Sequence, residues 1–411
     1  MRDDVDQRDH SGQKEHAMAT LPYRPVDADN HYYESRDAFT RYIDPAYADR
    51  TFQVHTGPDG ADRMTIDHRP YVFSPAKFDR TNPPGSLLES LRDPARAEYA
   101  RSFTAEAMLP AFQNRDARLA LMDEQGIEAA ILLPSLAVCV EHPIRNDPLL
   151  TDAVLHAFNR WLEDDWGYAY DDRIYAVPML SLVDVDLAVR ELDRVLAKGA
   201  RLVHLLAGPV AGRSPADLHF DPFWARLDEA RVPVAFHIGD SGYSELFGRA
   251  WGEEPSPEVR KMSAFQWAFL HGDFPLMQTL GALTYHNLFG RFPNLNVLSI
   301  ENGSDWVDYL MLHLDKKKGM GRQGPWPGGY FRGRPSEVLK QRLYLTPYPE
   351  DDVESLVAVM GDDHVLFGSD YPHPEGLAEP AAFVELIANL DAPATKRIMR
   401  DNTRALLGMA G

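Results

Sequence analysis

The feature that most constrains this chain is a rhythm of short apolar runs, each followed by a stretch of helical period. The runs are YRPVDADNH (23–31), IEAAILLPS (127–135), RIYAVPML (173–180), RLVHLLAG (201–208), VPVAFHIGD (232–240), LNVLSIENG (295–303), LYLTPY (343–348) and HVLFGSDYPH (364–373). Strands apolar on both faces need cover on both faces, which parallel sheets flanked by helices supply. Eight such units in one chain predict an α/β fold of the (β/α)8 TIM-barrel kind rather than an open doubly wound sheet. No GxGxxG follows the first run, so a dinucleotide-binding fold has no support.

Two intervals are oversized and predict insertions after strands 1 and 5. Residues 51–74 carry short alternating stretches around PDG, a β-hairpin pattern, and SPAKFDRTNPPGS then reads as loop. Helical patterning resumes near Leu87 and continues through 115–124. The second long interval, 241–280, holds Tyr243, Phe247, Trp251, Phe265, Trp267 and Phe269, which either line a substrate cavity or pack the insertion itself. Residues 1–20 are polar and aperiodic and read as a disordered tail, with His10 and His16 solvated. The remainder, 21–411, reads as one barrel domain with an inserted segment around 50–85.

Composition excludes some functions. Acidic side chains number 62 against 42 basic ones, a net charge of -20, which is unsuited to a nucleic-acid backbone. The one cysteine, Cys139, can form neither an internal disulfide nor a thiolate metal site, and its apolar setting predicts burial. No signal-peptide pattern opens the chain and no run approaches 18 apolar residues, so the expectation is a cytoplasmic protein without a membrane partner.

In a barrel, side chains at the C-terminal ends of the strands face the active site. The first run ends in Asp27, Asp29 and His31, spaced by two and so expected on one face, with Glu34 just beyond. The fifth ends in His237, the sixth in Glu301, and the eighth in Asp370 with His373 three residues on. His286 lies late in the helix before the sixth run. Period 2 predicts that Glu301 shares a face with Val297 and Ser299. Burying so many charged groups unpaired is prohibitive, and a divalent cation compensates them. The expected ligands are Asp29, His31, His237, Glu301, Asp370 and Glu34; the expected acid–base groups are Asp370, Glu301, His286 and His373. Imidazole with carboxylate suits Zn, Mn or Fe, and the surplus of carboxylates admits two cations.

DADNHYYE, AFHIG, RFPNLNVLSIENG and LFGSDYPH resemble the amidohydrolase-related family of metal-dependent barrels. The resemblance covers roughly 21 to 408 and points to the branch that includes aminocarboxymuconate semialdehyde decarboxylase and the resorcylate-type decarboxylases. It implies that Asp29 and His31 stand for the family's strand-1 metal pair, His237 for the strand-5 histidine and Asp370 for the strand-8 aspartate. It also shows a departure: Glu301 stands where the decarboxylases usually carry a catalytic histidine, and the fourth run offers His204 but no lysine. The implied activity is a metal-dependent lyase or hydrolase acting on a small, largely apolar molecule with a carboxylate or carbonyl. The carboxylate-rich set keeps open a second class, a dinuclear non-haem iron monooxygenase hydroxylating a natural-product intermediate, since the family's fold also carries such oxygenases. A homodimer is expected, because most soluble oligomers are twofold.

Overall fold

The computed structural model describes residues 21–74, 78–92 and 105–409; the tail expected over 1–20 lies outside them. Thirteen strands are found there. β1 (Val26–Tyr32) is followed by β2 (Gln53–Thr56), β3 (Asp62–Ile66), β4 (Arg69–Pro70), β5 (Arg80–Thr81) and β6 (Glu106–Ala107). Then come β7 (Ala129–Pro134), β8 (Ile174–Ala176), β9 (Met179–Leu180), β10 (Val203–Leu205), β11 (Val234–His237), β12 (Val297–Ile300) and β13 (Leu343–Leu345).

The parallel strands fall in two arcs, β1-β7-β8 and β9-β10-β11-β12-β13. The third apolar run is split between them at Val177-Pro178, because proline has no N–H to give a ladder. Backbone pairing still bridges the gap: the Val177 amide donates to the Leu132 carbonyl and the His204 amide to the Pro178 carbonyl, both at 3.0 Å. The eighth run forms no ladder. It lies extended and makes isolated parallel bridges, Val365 to Leu345 on one side and Tyr371 to Asn30 on the other. These bridges run from β13 back to β1. Helices such as Pro148–Asp165, Val185–Ala197 and Asp221–Ala230 separate successive parallel strands, and the first two are capped by Asp147 and Asp184, which accept from first-turn amides.

Alternation sorts the strand side chains into two cores. Ile131, Leu133, Ala235, Leu298 and Ile300 meet on the inner side, while Ala130, Leu132, Val234 and Val297 pack outward in the larger cluster that includes Trp161 and Phe223.

Both long intervals carry their own structure. Between β1 and β7, β2, β3 and β4 form an antiparallel sheet, turning at Gly60 with a φ of 76° as the PDG pattern predicted. The helical pattern expected from Leu87 through 124 is not continuous. A helix at Ser86–Arg92 and one at Arg115–Glu124 are separated by β6, which pairs with β5, and a 3-10 turn at Pro110–Phe112. Between β11 and β12 the chain makes short helices, Tyr243–Leu246 and Ala264–Phe269, the latter opened by a Ser263–Gln266 capping box. The two intervals touch, since the Val259 amide donates to the Phe73 carbonyl at 2.8 Å. The helix expected over 276–292 breaks at Asn287, whose φ of 53° is left-handed. No helix among the described residues is long and apolar enough to cross a membrane.

Candidate metal centre

Six side chains converge where the parallel strands end. Asp29, His31, His237 and Glu301 form one group able to hold a metal ion, and His31, Glu301, Asp370 and His373 form another; in each, the donor atoms lie within 4.8 Å of one another. His31 Nε2 stands 3.2 Å from Asp29 Oδ1, 3.2 Å from Asp370 Oδ1, 3.3 Å from His237 Nε2 and 3.7 Å from Glu301 Oε2. His237 Nε2 stands 2.9 Å from Glu301 Oε2.

How the chain brings them together differs from strand to strand. In β1, register slips between Asp27 and Asn30: Asp27 faces Ala130, whereas Asn30 faces Leu132. The bulge moves the odd-numbered residues to the other face. Asp27, expected beside Asp29 and His31, therefore points away. It accepts from Ser369 Oγ at 2.5 Å, the Ser369 amide at 3.0 Å and Asn30 Nδ2 at 2.9 Å. Asp29 and His31 keep a common face. His237 follows Ala235 inward, and its Nδ1 donates to the Ile238 carbonyl at 2.7 Å, which leaves the Nε2 lone pair facing the cluster. Glu301 does not arrive by period 2. The inner residues of β12 are Leu298 and Ile300, while Val297 packs outward. Glu301 turns inward because its backbone adopts a φ of 53°, and Asp370 does the same at 55°. Both conformations are costly for non-glycine residues and are characteristic of functional sites.

The electrostatics are those of a set lacking its counterion. Burial pushes Asp29 up to about 6, against the pull of His237. Burial raises Glu301, with His237 opposing and Asp29 adding to it. Asp370 is driven well above the carboxylate range by burial and then by Glu301, Glu375 and Asp29. His31 is held well below its usual value, by burial first and by His237 next. Burial would also lower His237, but the Glu301 carboxylate, helped by Asp29, outweighs it. Among the described residues no Lys or Arg pairs with Asp29, Glu301 or Asp370; their ion-pair partners are histidines.

A divalent cation fits this arrangement. Donors about 2.1 Å from one cation stand about 3.0–3.4 Å apart, the spacing of His31 Nε2 from Asp29, Asp370 and His237. His373 sits at the edge. Its ring stacks on His31 with centroids 4.0 Å apart, its Nδ1 is 2.7 Å from Asp370 Oδ1, and its Nε2 is 2.8 Å from Ser135 Oγ.

Two expected site residues are elsewhere. Glu34 Oε1 accepts from the amides of Leu136 and Ala137, at 2.8 and 2.9 Å, so it closes the turn after β7 instead of joining the donors. Burial still pushes it up to about 7. His286 ends the helix Asp273–Tyr285, its carbonyl accepts from Arg291, and it belongs to neither donor group. His271 is buried against Phe73 and Trp267, likewise outside both groups. Cys139 is buried, and burial raises its thiol pKa. Of the insertion's aromatics, Tyr243 is buried but Phe247, Trp251, Trp267 and Phe269 are 44–74% exposed; Phe247 lies tilted against Tyr243, and Trp251 and Phe269 lie tilted against Phe265. Ser135 was missed, although it ends the second apolar run as the other site residues end theirs. Ser369 and Asn30 gave no such signal.

Residues 26–409 match the family model described as Amidohydrolase. An amidohydrolase from Mycobacterium avium subsp. paratuberculosis K-10 is 40% identical, covers 95% of this chain and 100% of its own, and superposes with a TM-score of 0.86. Gamma-resorcylate decarboxylase from Rhizobium sp. (strain MTP-10005) is 23% identical over 318 residues, 72% of this chain and 88% of its own length. A dihydroxybenzoic acid decarboxylase from Polaromonas sp. JS666, with bound manganese and 2-nitroresorcinol, shares the fold at 17% identity and a TM-score of 0.57, covering 94% of this chain and 97% of its own. With its donor set at the strand ends and the match running nearly its full described length, this chain belongs to the amidohydrolase family, an α/β fold related to the TIM-barrel superfamily.

Proposed function

We propose that this chain is a metal-dependent lyase or hydrolase acting on a small carboxylated or carbonyl-containing molecule, with decarboxylation as its leading reaction. The observation that carries this is the buried set of two imidazoles and three carboxylates around His31 Nε2, with no Lys or Arg among the described residues paired to it. Asp29, His31, His237, Glu301 and Asp370 hold the cation. Bound there, a divalent metal supplies Lewis acidity to a substrate carboxylate or carbonyl oxygen and lowers the pKa of bound water. Asp370 and His373, 2.7 Å apart, hold a proton beside the substrate, and Ser135 Oγ fixes the far nitrogen of the His373 ring. Tyr348, whose hydroxyl donates to the Glu301 carbonyl at 2.8 Å, steadies the strained turn that aims Glu301 inward. The relatives named as resorcylate and dihydroxybenzoate decarboxylases support a hydroxylated aromatic acid as the first substrate class to try.

The frame of this reading is a closed eight-stranded barrel over 21–411, entered by insertions after its first and fifth strands, with the segment around 50–85 the first of these. The backbone bonds that carry pairing from β13 through 364–371 to β1 support closure.

Purification without added chelator, metal analysis, and release of carbon dioxide from hydroxybenzoates test the function. One Zn or Mn per chain with metal-dependent release is the expected result. A fully active protein after exhaustive chelation rules the reading out. A second reading, a dinuclear non-haem iron monooxygenase, rests on the number of carboxylates, since Glu301 belongs to both donor groups and a carboxylate has an oxygen for each of two cations. Two irons per chain after anaerobic purification, with oxygen uptake on adding substrate, would replace the first reading by the second. The homodimer rests on the exposed Leu246, Phe247, Trp251, Trp267 and Phe269, an apolar area of the kind interfaces cover. Light scattering that reports the 46.3 kDa mass of one chain at micromolar concentration rules it out.

A further inference from the structure

Arg118 lies in the helix Arg115–Glu124 and is 1% exposed, yet it makes no ion pair with any described carboxylate. Taking a guanidinium out of water without a counterion costs several kcal/mol unless its donors are met. They are met by three oxygens: the Ala111 carbonyl at 2.7 Å, the His31 carbonyl at 2.7 Å and Asn30 Oδ1. The guanidinium also lies among the rings of Phe112, Trp166 and Tyr371, 5.8–5.9 Å from each centroid. Two of its three acceptors therefore belong to the end of β1, on and beside a donor residue of the metal centre. Asn30 passes the connection on, donating to Asp27 Oδ2 at 2.9 Å, and Asp27 in turn accepts from Ser369 beside Asp370.

We infer that Arg118 is a positioning residue for the metal centre, fixing His31 through its carbonyl and setting β1 against the Asp370 turn through Asn30, Asp27 and Ser369. The inference rests on the metal-binding reading above. A planar fork can reach three separate oxygens at once, whereas an ammonium is a single point charge. A helix side chain needed only for packing would be apolar here, since apolar replacements of buried charges are often neutral or stabilising.

The test is a titration of Mn(II) alone into metal-stripped full-length protein, with free manganese read by electron paramagnetic resonance and folding followed by thermal unfolding. R118M is expected to bind manganese about 10- to 100-fold more weakly, the range for lost outer partners of a metal ligand. R118K should recover part of that loss. R194M breaks the Arg194 pairs with Glu191 on its own helix, Val185–Ala197, and with Glu163 on Pro148–Asp165, and serves as a control. It should lower the melting temperature and leave the affinity alone. Should R118M not fold, N30A cuts the same connection at its next member and should weaken manganese binding about tenfold. Wild-type affinity in folded R118M or in N30A overturns the inference, as does an equal affinity loss in R194M. A wild-type protein that binds no manganese, zinc or iron overturns the metal reading as well, so the two failures are told apart.

Discussion

Carboxylates stand at both ends of the parallel strands, and the two ends treat them differently. Where the strands begin, Glu128 is held by Arg400 and Arg404, and Asp123 by Arg24 and Arg173. Where the strands finish, Asp29, Glu301 and Asp370 are more deeply buried and meet only histidines. At the first end the protein supplies its own cations, and the two Asp123 pairs lower that pKa. At the second end burial raises the carboxylate pKa values, and among the described residues no Lys or Arg pairs with them. A charge neutralised from within serves the fold; a buried charge left for an outside cation is a site.

The largest effect should come from His31, the hub of the donor distances. H31A is expected to strip the metal and abolish activity, with circular dichroism showing unchanged helix content. Full metal occupancy in H31A would erase the contrast between the ends. Glu301 comes next. E301Q keeps shape but removes charge, and should lower activity about 100-fold, the range for lost acid–base or ligand function. E301H then separates the two readings. A decarboxylase should tolerate the residue usual in its relatives, whereas a dinuclear iron site should fail, because a neutral imidazole does not bridge two metals as a carboxylate does.

The pH dependence of the metal-free protein sharpens the contrast. Asp29 has a folded pKa of about 6 against about 3.9 for an exposed aspartate. A raised carboxylate pKa stabilises the fold below the unfolded value, and that contribution is lost as pH rises through the folded one. Metal-free protein should therefore lose stability between about pH 4 and pH 6, on the order of 3 kcal/mol from this group. Bound metal should cancel the loss, since it favours the ionised form. The gap in melting temperature between loaded and stripped protein should thus widen as pH rises through that window. A constant gap in calorimetry would mean that Asp29 does not face the cation.

Much of this was legible in the sequence. The apolar runs located the parallel strands, and reading what each run ended in found Asp29, His31, His237, Glu301, Asp370 and His373, which the fold brings together. Two kinds of fact were hidden. One was backbone conformation: a bulge in β1 turns Asp27 away, and left-handed residues, rather than strand period, aim Glu301 and Asp370. A one-residue slip leaves no mark in VDADNHY, because it changes the backbone pairing and not the order of polar and apolar residues. The other was partnership at a distance. Glu34 looked like a ligand but is satisfied by the Leu136 and Ala137 amides, and nothing in the sequence singles out Arg118, whose guanidinium reaches the His31 carbonyl. His286 was placed by its nearness in sequence to the sixth run, while the fold leaves it outside both donor groups.

The smallest expected effect belongs to the opposite end, and it is the control on which the comparison stands. Glu128 gives one oxygen to each of two arginines, with Arg400 Nε at 2.6 Å from Oε2 and Arg404 on Oε1. E128Q keeps the volume but replaces one acceptor with an amide that points its own donors at an arginine. Hydrogen bonds to charged groups are worth about 1.5–3 kcal/mol, and partial exposure of this one trims that to about 1–2 kcal/mol. Because both arginines sit on the C-terminal helical segment, the loss should show as a lower urea midpoint and as faster amide exchange over 397–407. Metal affinity and activity should stay within about twofold, since no donor of the centre touches Glu128 and distant sites behave additively. A drop in metal affinity would show that the two ends are mechanically coupled. An unchanged urea midpoint would show that the arginines at this end contribute nothing, and that pairing within the protein does not mark the structural carboxylates.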